Sequence, residues 1–327
     1  MDDRPASPPD AIARFRRWAA IAVALASLGY LAYAVWRGLS ETTTELLGFR
    51  WSLTVPILAL TLVNYGLRYL KWHYLLGRLG IRIAHRVNAP IFTAGLAMVI
   101  SPAKAGELVK PYLVQVCTGA SMTRTLPALI AERATDGVAV ILLAALGVGT
   151  YYAQATPLIW GSLAAFLVVL VLLSSRRLVQ GGLSLLRRVV GLRRLVDRLD
   201  EVYAATRVCF APVPLLLTTA LSLVAWFAEC IGYWLVFVGL GLDTSLWADT
   251  FLYAFATVFG APSPGGMGMA DVALTEGAVA ILGVTAPQAV AASLLVRVAT
   301  LWFGVLLGAF ALLRMESTIA AVSRPAP

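Results

Sequence analysis

Polar positions are sparse along this chain, and they divide it into long apolar runs. Such runs cover about 18–38, 52–75, 125–151, 157–174, 212–240 and 287–313. At 1.5 Å of rise per residue each can cross roughly 30 Å of hydrocarbon as a helix. Two stretches, 89–118 and 247–282, have another pattern. Each is made of two apolar pieces too short to span singly, separated by a tip of proline and glycine, which predicts a re-entrant helical hairpin. The pattern as a whole predicts an all-α integral membrane protein with about six transmembrane helices and two re-entrant hairpins.

Composition agrees with this reading. Of 327 residues, 60% are hydrophobic and 13% charged, and the mean hydropathy is +0.82, a balance foreign to soluble domains. The net charge of +9 calls for no nucleic acid, because the arginines follow the topology. With six crossings, one face receives Arg14, Arg16, Arg17, Arg78, Arg82, Arg86, the segment 176–208 and Arg314, while the other receives Arg37, Glu41, Glu45, Arg50, Asp243 and Asp249. Short loops rich in Lys and Arg stay in the cytoplasm, so both termini are expected there, in a bacterial-type inner membrane.

Residues 1–13 read as a disordered tail, 14–316 as one polytopic domain and 317–327 as a second cytoplasmic tail. The run at 18–38 is too long for a signal peptide and is expected to remain as the first span. Within 176–208, Leu and Val recur at helical spacing among Arg187, Arg188, Arg193, Arg194 and Arg198. That is the pattern of an amphipathic helix on the inner leaflet, or of an ordinary positively charged loop. Cys117, Cys209 and Cys230 show no metal-ligand spacing, and His73 and His85 make no pair. Neither a metal nor a cofactor is expected.

The two tips resemble each other. In "SPAKAGELVK" and "SPGGMGMADV", Ser101, Pro102 and Gly106 lie 162 positions before Ser263, Pro264 and Gly268. Span, hairpin, span occurs twice, at about 52–151 and 212–314, and three crossings separate the two starts, so the copies face opposite ways. Inverted repeats with broken helices at the midplane are the architecture of secondary transporters. Proline ends the first half-helix and glycine permits a close turn. The second half-helix then starts inside the membrane near Lys104 to Glu107, or near Gly265, Gly266 and Gly268, with its positive end at the midplane. Opposed ends of this kind suit an anionic group such as a phosphate; the alternative is a pair of plugs that only close the fold.

Ionisable residues inside spans cost roughly 2.5–3.5 kcal/mol each on insertion scales and are paired as a rule. Asn64, Arg68 and Lys71 fall at i, i+4 and i+7 on one helical stripe, and Glu132 and Asp136 at i, i+4 with Arg133 beside them. The repeat offset sets Arg68 next to Glu229 and Asp136 next to Arg297 with the signs exchanged. Two ion pairs are therefore expected, Arg68 with Glu132 or Asp136 inside and Glu229 with Arg297 outside, acting either as staples or as a gated polar path. Lys104, nearest the break, is the expected phosphate partner, whereas Lys110 is expected to snorkel to the surface. Asp271, one turn beyond the second tip, reads either as a proton carrier or as a cap.

"SPAKAGELVKPYL", "ERATDGVAVILL" and "APSPGGMGMADVALTEG" resemble, in order, the motifs of a flippase-like family that includes the transmembrane region of lysylphosphatidylglycerol synthase. The resemblance covers about residues 15–315 and implies movement of lipids or lipid-linked molecules between leaflets. The first motif departs from the family at Ala103 and Lys104. The chain ends just after the last span, so no aminoacyl-transferase domain is expected, and no synthase activity.

The leading expectation is a lipid flippase for an anionic phospholipid, a polyprenyl-phosphate carrier, a glycolipid or a hopanoid-type lipid, with a partner enzyme that makes the substrate. There is no P-loop, so this chain is not expected to hydrolyse ATP. A transporter or channel for a small soluble anion fits the same repeat. A lipid-modifying enzyme fits poorly, since H-E-x-x-H and G-x-S-x-G are missing from the sequence.

Overall fold

The computed structural model describes residues 39–101, 106–174, 179–181, 184 and 193–322. The expected tail at 1–13, the first span at 18–38, Pro102 and Lys104 of the first tip, and most of 176–192 lie outside the described residues. Those described contain helices and no strand.

A short helix α1 (Leu39–Gly48) leads through a 3-10 turn into α2 (Thr54–Arg78). Helices α3 (His85–Ala97) and α4 (Val109–Thr118) form the first hairpin, and α5 (Met122–Ala145) and α6 (Thr156–Ser174) follow. Helix α7 (Arg193–Cys209) precedes α8 (Pro212–Gly239). Helices α9 (Leu246–Phe259) and α10 (Met269–Gly277) form the second hairpin, and α11 (Ala286–Arg297) continues through a widened π turn into α12 (Phe303–Val322).

Among the described residues four helical stretches are long and apolar enough to cross a membrane: Trp51–Arg78, Pro212–Gly239, Pro264–Leu282 and Ala286–Met315. Three coincide with expected spans; the fourth is the second arm of the second hairpin, expected to be too short to span singly, which continues through a π turn at Ala278–Leu282 and so reaches spanning length. The expected spans at 125–151 and 157–174 appear as α5 and α6. Helix α5 stops at Ala145, with Gly147 against Phe251, so the apolar run outlasts the helix.

The exteriors of these helices are greasy. Helix α2 buries Ile57, Thr61, Asn64, Tyr65, Arg68, Trp72 and Leu75 along one face, while Val55, Leu62, Val63 and Leu70 on the other are about half exposed or more. A helix polar on its inner face and apolar outside is arranged for lipid, not for water. Packing among such helices draws on close approach of small residues. A Cβ at Gly308 would stand 2.3 Å from the backbone N of Ala97, and one at Gly239 would stand 2.1 Å from the Phe49 ring.

Both hairpins run antiparallel. In the second, Gly260 lies against Ala270 and Gly277 against Leu252; in the first, Gly95 lies against the Lys110 stem and Gly106 against Met98. The tips meet, with the turn at Pro264–Gly266 against that at Met98–Ile100. Ile100, Leu301 and Val305, with Val99 and Met267, form a small apolar cluster at this junction, between two larger cores. Helix α7 carries the amphipathic pattern as far as it is described: Val196, Tyr203, Thr206 and Cys209 are buried, and the helix packs on α5.

Candidate functional site

The expected stripe on α2 is present and inward. Lys71 is wholly buried, and its Nζ donates to Asp136 Oδ1 at 2.5 Å, Ser222 Oγ at 2.6 Å, the Glu132 carbonyl at 3.2 Å and Thr135 Oγ1 at 3.3 Å. Ser222 Oγ in turn donates to Asp136 Oδ1 at 2.9 Å. Asn64, also buried, donates from Nδ2 to the Ala225 carbonyl at 2.9 Å and ties α2 to α8. Arg68 lies 3.5 Å from Asp136 Oδ2 and 3.8 Å from Glu132 Oε1, so both expected inner partners are used.

Lys110 departs from expectation. It is 3% exposed and donates to Glu132 Oε2 at 2.5 Å, with its ammonium 4.6 Å from the centre of the Trp72 ring and 5.2 Å from that of Phe92. Gly95 leaves room for the lysine stem, so the charge turns inward to a carboxylate instead of reaching the surface. Arg133 completes the cluster. It donates to Glu107 Oε1 at 3.3 Å and to Glu132 Oε1, and stands 3.2 Å from Asp136 Oδ2. Buried charges persist only when paired, and among the described residues four cations, Arg68, Lys71, Lys110 and Arg133, face three carboxylates, Glu107, Glu132 and Asp136. One positive charge is in excess. The Nε atoms of Arg68 and Arg133 make no hydrogen bond to the described residues.

The second hairpin shows a different partner choice. Arg297 was expected to meet Glu229; its Nε donates instead to Asp271 Oδ1 at 2.6 Å, and its terminal nitrogens donate to the carbonyls of Gly265 at 3.3 Å and Gly266 at 3.2 Å. Gly265, Gly266 and Gly268 adopt φ of +60°, +74° and +79°, which lets these carbonyls turn toward the guanidinium. Asp271 Oδ2 accepts from the Gly268 N–H at 2.8 Å, so Asp271 is a cap, and both its oxygens are engaged. Glu229, on α8, accepts from the Tyr253 hydroxyl at 2.9 Å.

Ser101 and Ser263 behave alike. Each hydroxyl donates to the carbonyl three residues earlier, Met98 at 2.7 Å and Gly260 at 2.9 Å. Ser101 Oγ also accepts from the Gly106 N–H at 2.7 Å. The Gly106 N–H is therefore already satisfied within its own tip.

Between the tips lies a cavity of about 120 Å³, lined among others by Arg68, Arg297, Glu229, Tyr65 and the Gly265–Gly266 backbone. A larger groove of about 630 Å³ adjoins it and carries Glu107, Arg133 and Asp136 at a polar end, with walls of Leu108, Leu129, Ile130, Val140, Ile141 and Val258. Trp226, Thr257 and Ala261 line both spaces. Trp226 faces Arg68, whose guanidinium carbon is 5.9 Å from the ring centre.

Ser222, Trp226 and Tyr253 escaped the sequence reading because each is an uncharged residue in an apolar run. His73 and His85, expected to make no pair, do meet: their rings stack at 4.1 Å, with Tyr69 Oη 2.6 Å from His85 Nδ1 and Asn88 Nδ2 2.9 Å from His73 Nδ1. The loop after α2 folds α3 back and brings the two rings together. Among the described residues no three His, Cys, Asp or Glu side chains gather as metal ligands.

This chain is similar to a UPF0104 membrane protein of Methanothermobacter thermautotrophicus, 26% identical over 308 residues that cover 88% of this chain and 90% of the relative. Residues 17–308 match the family described as the lysylphosphatidylglycerol synthase TM region. A charged cluster and two broken hairpins within an apolar helical body thus belong to a membrane protein, and the chain is a member of the lysylphosphatidylglycerol synthase TM region family.

Proposed function

We propose that this protein is a lipid transporter of flippase type that moves an anionic phospholipid or a lipid-linked phosphate between leaflets. The observation that carries the reading is the junction of two unlike spaces: a small polar cavity between the hairpin tips, with Arg68 and Arg297 on its wall, and an adjoining groove with apolar walls and a charged end. A phosphate matches the first space and acyl chains match the second. A soluble anion needs no apolar groove, and this favours a lipid.

The two hairpins are re-entrant in this reading and belong to inverted repeats, with both termini in the cytoplasm. Support comes from the matched serine hydrogen bonds at the two tips, and from Asn64 meeting Ala225, which stands 161 positions later. Lys110 likewise stands 161 positions before Asp271, and each pairs with an opposite charge on the helix that follows its hairpin, Lys110 with Glu132 and Asp271 with Arg297. The head group is held in this reading by the guanidinium forks of Arg68 and Arg297, and the N–H groups of Gly106 and Gly268 take no part, being bonded to Ser101 and Asp271. Arginine suits this task through planar, bidentate donation.

The test is leaflet transfer in proteoliposomes, comparing labelled phosphatidylglycerol, phosphatidylcholine and a polyprenyl phosphate. Wild type is expected to move the anionic lipids selectively, and a folded Arg68→Ala variant is expected to lose that transfer. Uptake of a soluble anion without lipid movement would overturn the lipid assignment.

A further inference from the structure

Among the described residues two buried carboxylates, Glu229 and Asp249, touch no cation, and of the two only Glu229 lines the central cavity. Glu107, Glu132, Asp136 and Asp271 each touch a cation. Glu229 is 5% exposed, touches none among the described residues, and takes a single hydrogen bond, from Tyr253 to Oε2. Its other oxygen, Oε1, makes no hydrogen bond there. Yet Glu229 lines the central cavity together with Arg68 and Arg297, and both arginines are committed to other acids.

The groups that face it are Tyr65 and Arg68 from α2, Asp136 from α5, Tyr253 from α9 and Arg297 from α11, with Cys230 beside it on α8. An anionic head group placed between the two arginines sits against this carboxylate. Two anions sharing one water-poor site strongly disfavour each other's charge, and the site resolves the conflict most readily by protonating one of them. Asp271 is not the group that yields, because Arg297 holds Oδ1 and the Gly268 N–H holds Oδ2. Glu132 and Asp136 are likewise held by lysines and arginines.

We infer that the central cavity takes up its anionic head group together with one proton, carried on Glu229, so that lipid movement is coupled to proton movement. The proton comes from water and bonds to Oε1, while Tyr253 goes on donating to Oε2. When the head group leaves, the O–H bond breaks and the proton returns to water on the side of release. A singly charged lipid then crosses with no net charge, and a proton gradient sets its direction. This inference rests on the anionic head-group reading above.

The test is binding by the purified full chain in nanodiscs of phosphatidylcholine, with dihexanoylphosphatidylglycerol as probe. Its phosphodiester remains a monoanion from about pH 5 to pH 9, so a change in affinity over that range belongs to the protein. Binding by wild type is expected to weaken as pH rises, by as much as about tenfold per pH unit, the limit for one linked proton. In weakly buffered solution the same binding is expected to make the medium more alkaline. Glu229→Gln is expected to bind with an affinity independent of pH and with no proton uptake.

Wild-type binding with neither a pH slope nor proton uptake overturns the coupling and leaves the anion site standing. A slope that persists in Glu229→Gln also overturns the coupling through this residue. Proton uptake is read on wild type alone, so a variant that fails to fold does not block the decision. Absence of binding at every pH overturns the anion site itself and the coupling with it.

Discussion

Asp136 is the acid on which the charged cluster converges, and replacing it by asparagine tests whether that cluster is structural. Its Oδ1 takes Lys71 at 2.5 Å and Ser222 at 2.9 Å, and its Oδ2 lies 3.2 Å from Arg133 and 3.5 Å from Arg68. Asparagine keeps the shape and removes the charge, leaving Lys71 buried with only neutral acceptors, Ser222, Thr135 and a carbonyl. Breaking a buried pair by removing one partner costs about 3–5 kcal/mol, or roughly two to nearly four orders of magnitude in the folding equilibrium at about 1.4 kcal/mol per tenfold. Lys71→Met should cost less, about 3 kcal/mol, because Asp136 keeps both arginines. In the double variant the orphaned lysine is gone, so its cost should fall short of the sum by about 2–3 kcal/mol. Reversible unfolding by sodium dodecyl sulfate in mixed micelles, read by tryptophan fluorescence, measures all three. Additivity within about 0.5 kcal/mol, or a single Asp136→Asn cost below about 1 kcal/mol, would refute the view that these charges hold one another.

Gly308→Ala should destabilise by about 1–3 kcal/mol and lower the midpoint of a thermal melt in detergent, since its Cβ would meet the Ala97 backbone N at 2.3 Å. Trp226→Ala should merge the two spaces that Trp226 lines, raising lipid transfer while reducing preference for anionic head groups; unchanged selectivity in proteoliposomes would remove Trp226 as the divider. Thiol labelling in folded protein at about pH 8 should modify Cys117, which is exposed, and spare Cys209. Burial pushes the Cys209 thiol up to about 12, with Arg78 pulling the other way, so about one molecule in 10⁴ carries the thiolate at that pH. A membrane-impermeant maleimide added from the cytoplasmic side should reach Cys117, and labelling only from the opposite side would reject the proposed orientation.

Elements that depend on local chemistry were legible in the sequence. The proline and glycine tips stop and restart helices wherever they occur, and the i, i+4, i+7 stripe of Asn64, Arg68 and Lys71 points one way on any helix. The Gly268 to Asp271 cap was also legible as one of two alternatives, because a short acid three residues past a helix start reaches back to that N–H. Partner choice was not. Whether Arg297 meets Glu229 or Asp271 depends on the rotation of α11 against the hairpin, and whether Lys110 reaches water or Glu132 depends on the room beside Gly95. The ends of α5 and the stacking of His73 on His85 come likewise from packing across segments, which no local pattern carries.

The uneven pairing of charge joins these observations. A staple is best served by acids and bases in equal number, each saturated, because any excess buried charge is costly. The described cluster on the first-hairpin side has one cation too many, and Arg68 and Arg133, each with a buried Nε that makes no hydrogen bond to the described residues, line the two adjoining spaces. The second-hairpin side offers a lone acid, Glu229, on the wall of the same central cavity. The imbalance is thus concentrated where a passing anion would meet it, and the saturated contacts of Lys71 with Asp136 and Lys110 with Glu132 serve as the frame. Removing a frame pair should cost stability first and transport as a consequence. Removing Arg68 should do the reverse, costing transport with little loss of fold, because its nearest carboxylate contacts are 3.5 Å and 3.8 Å long and both acids keep other cations.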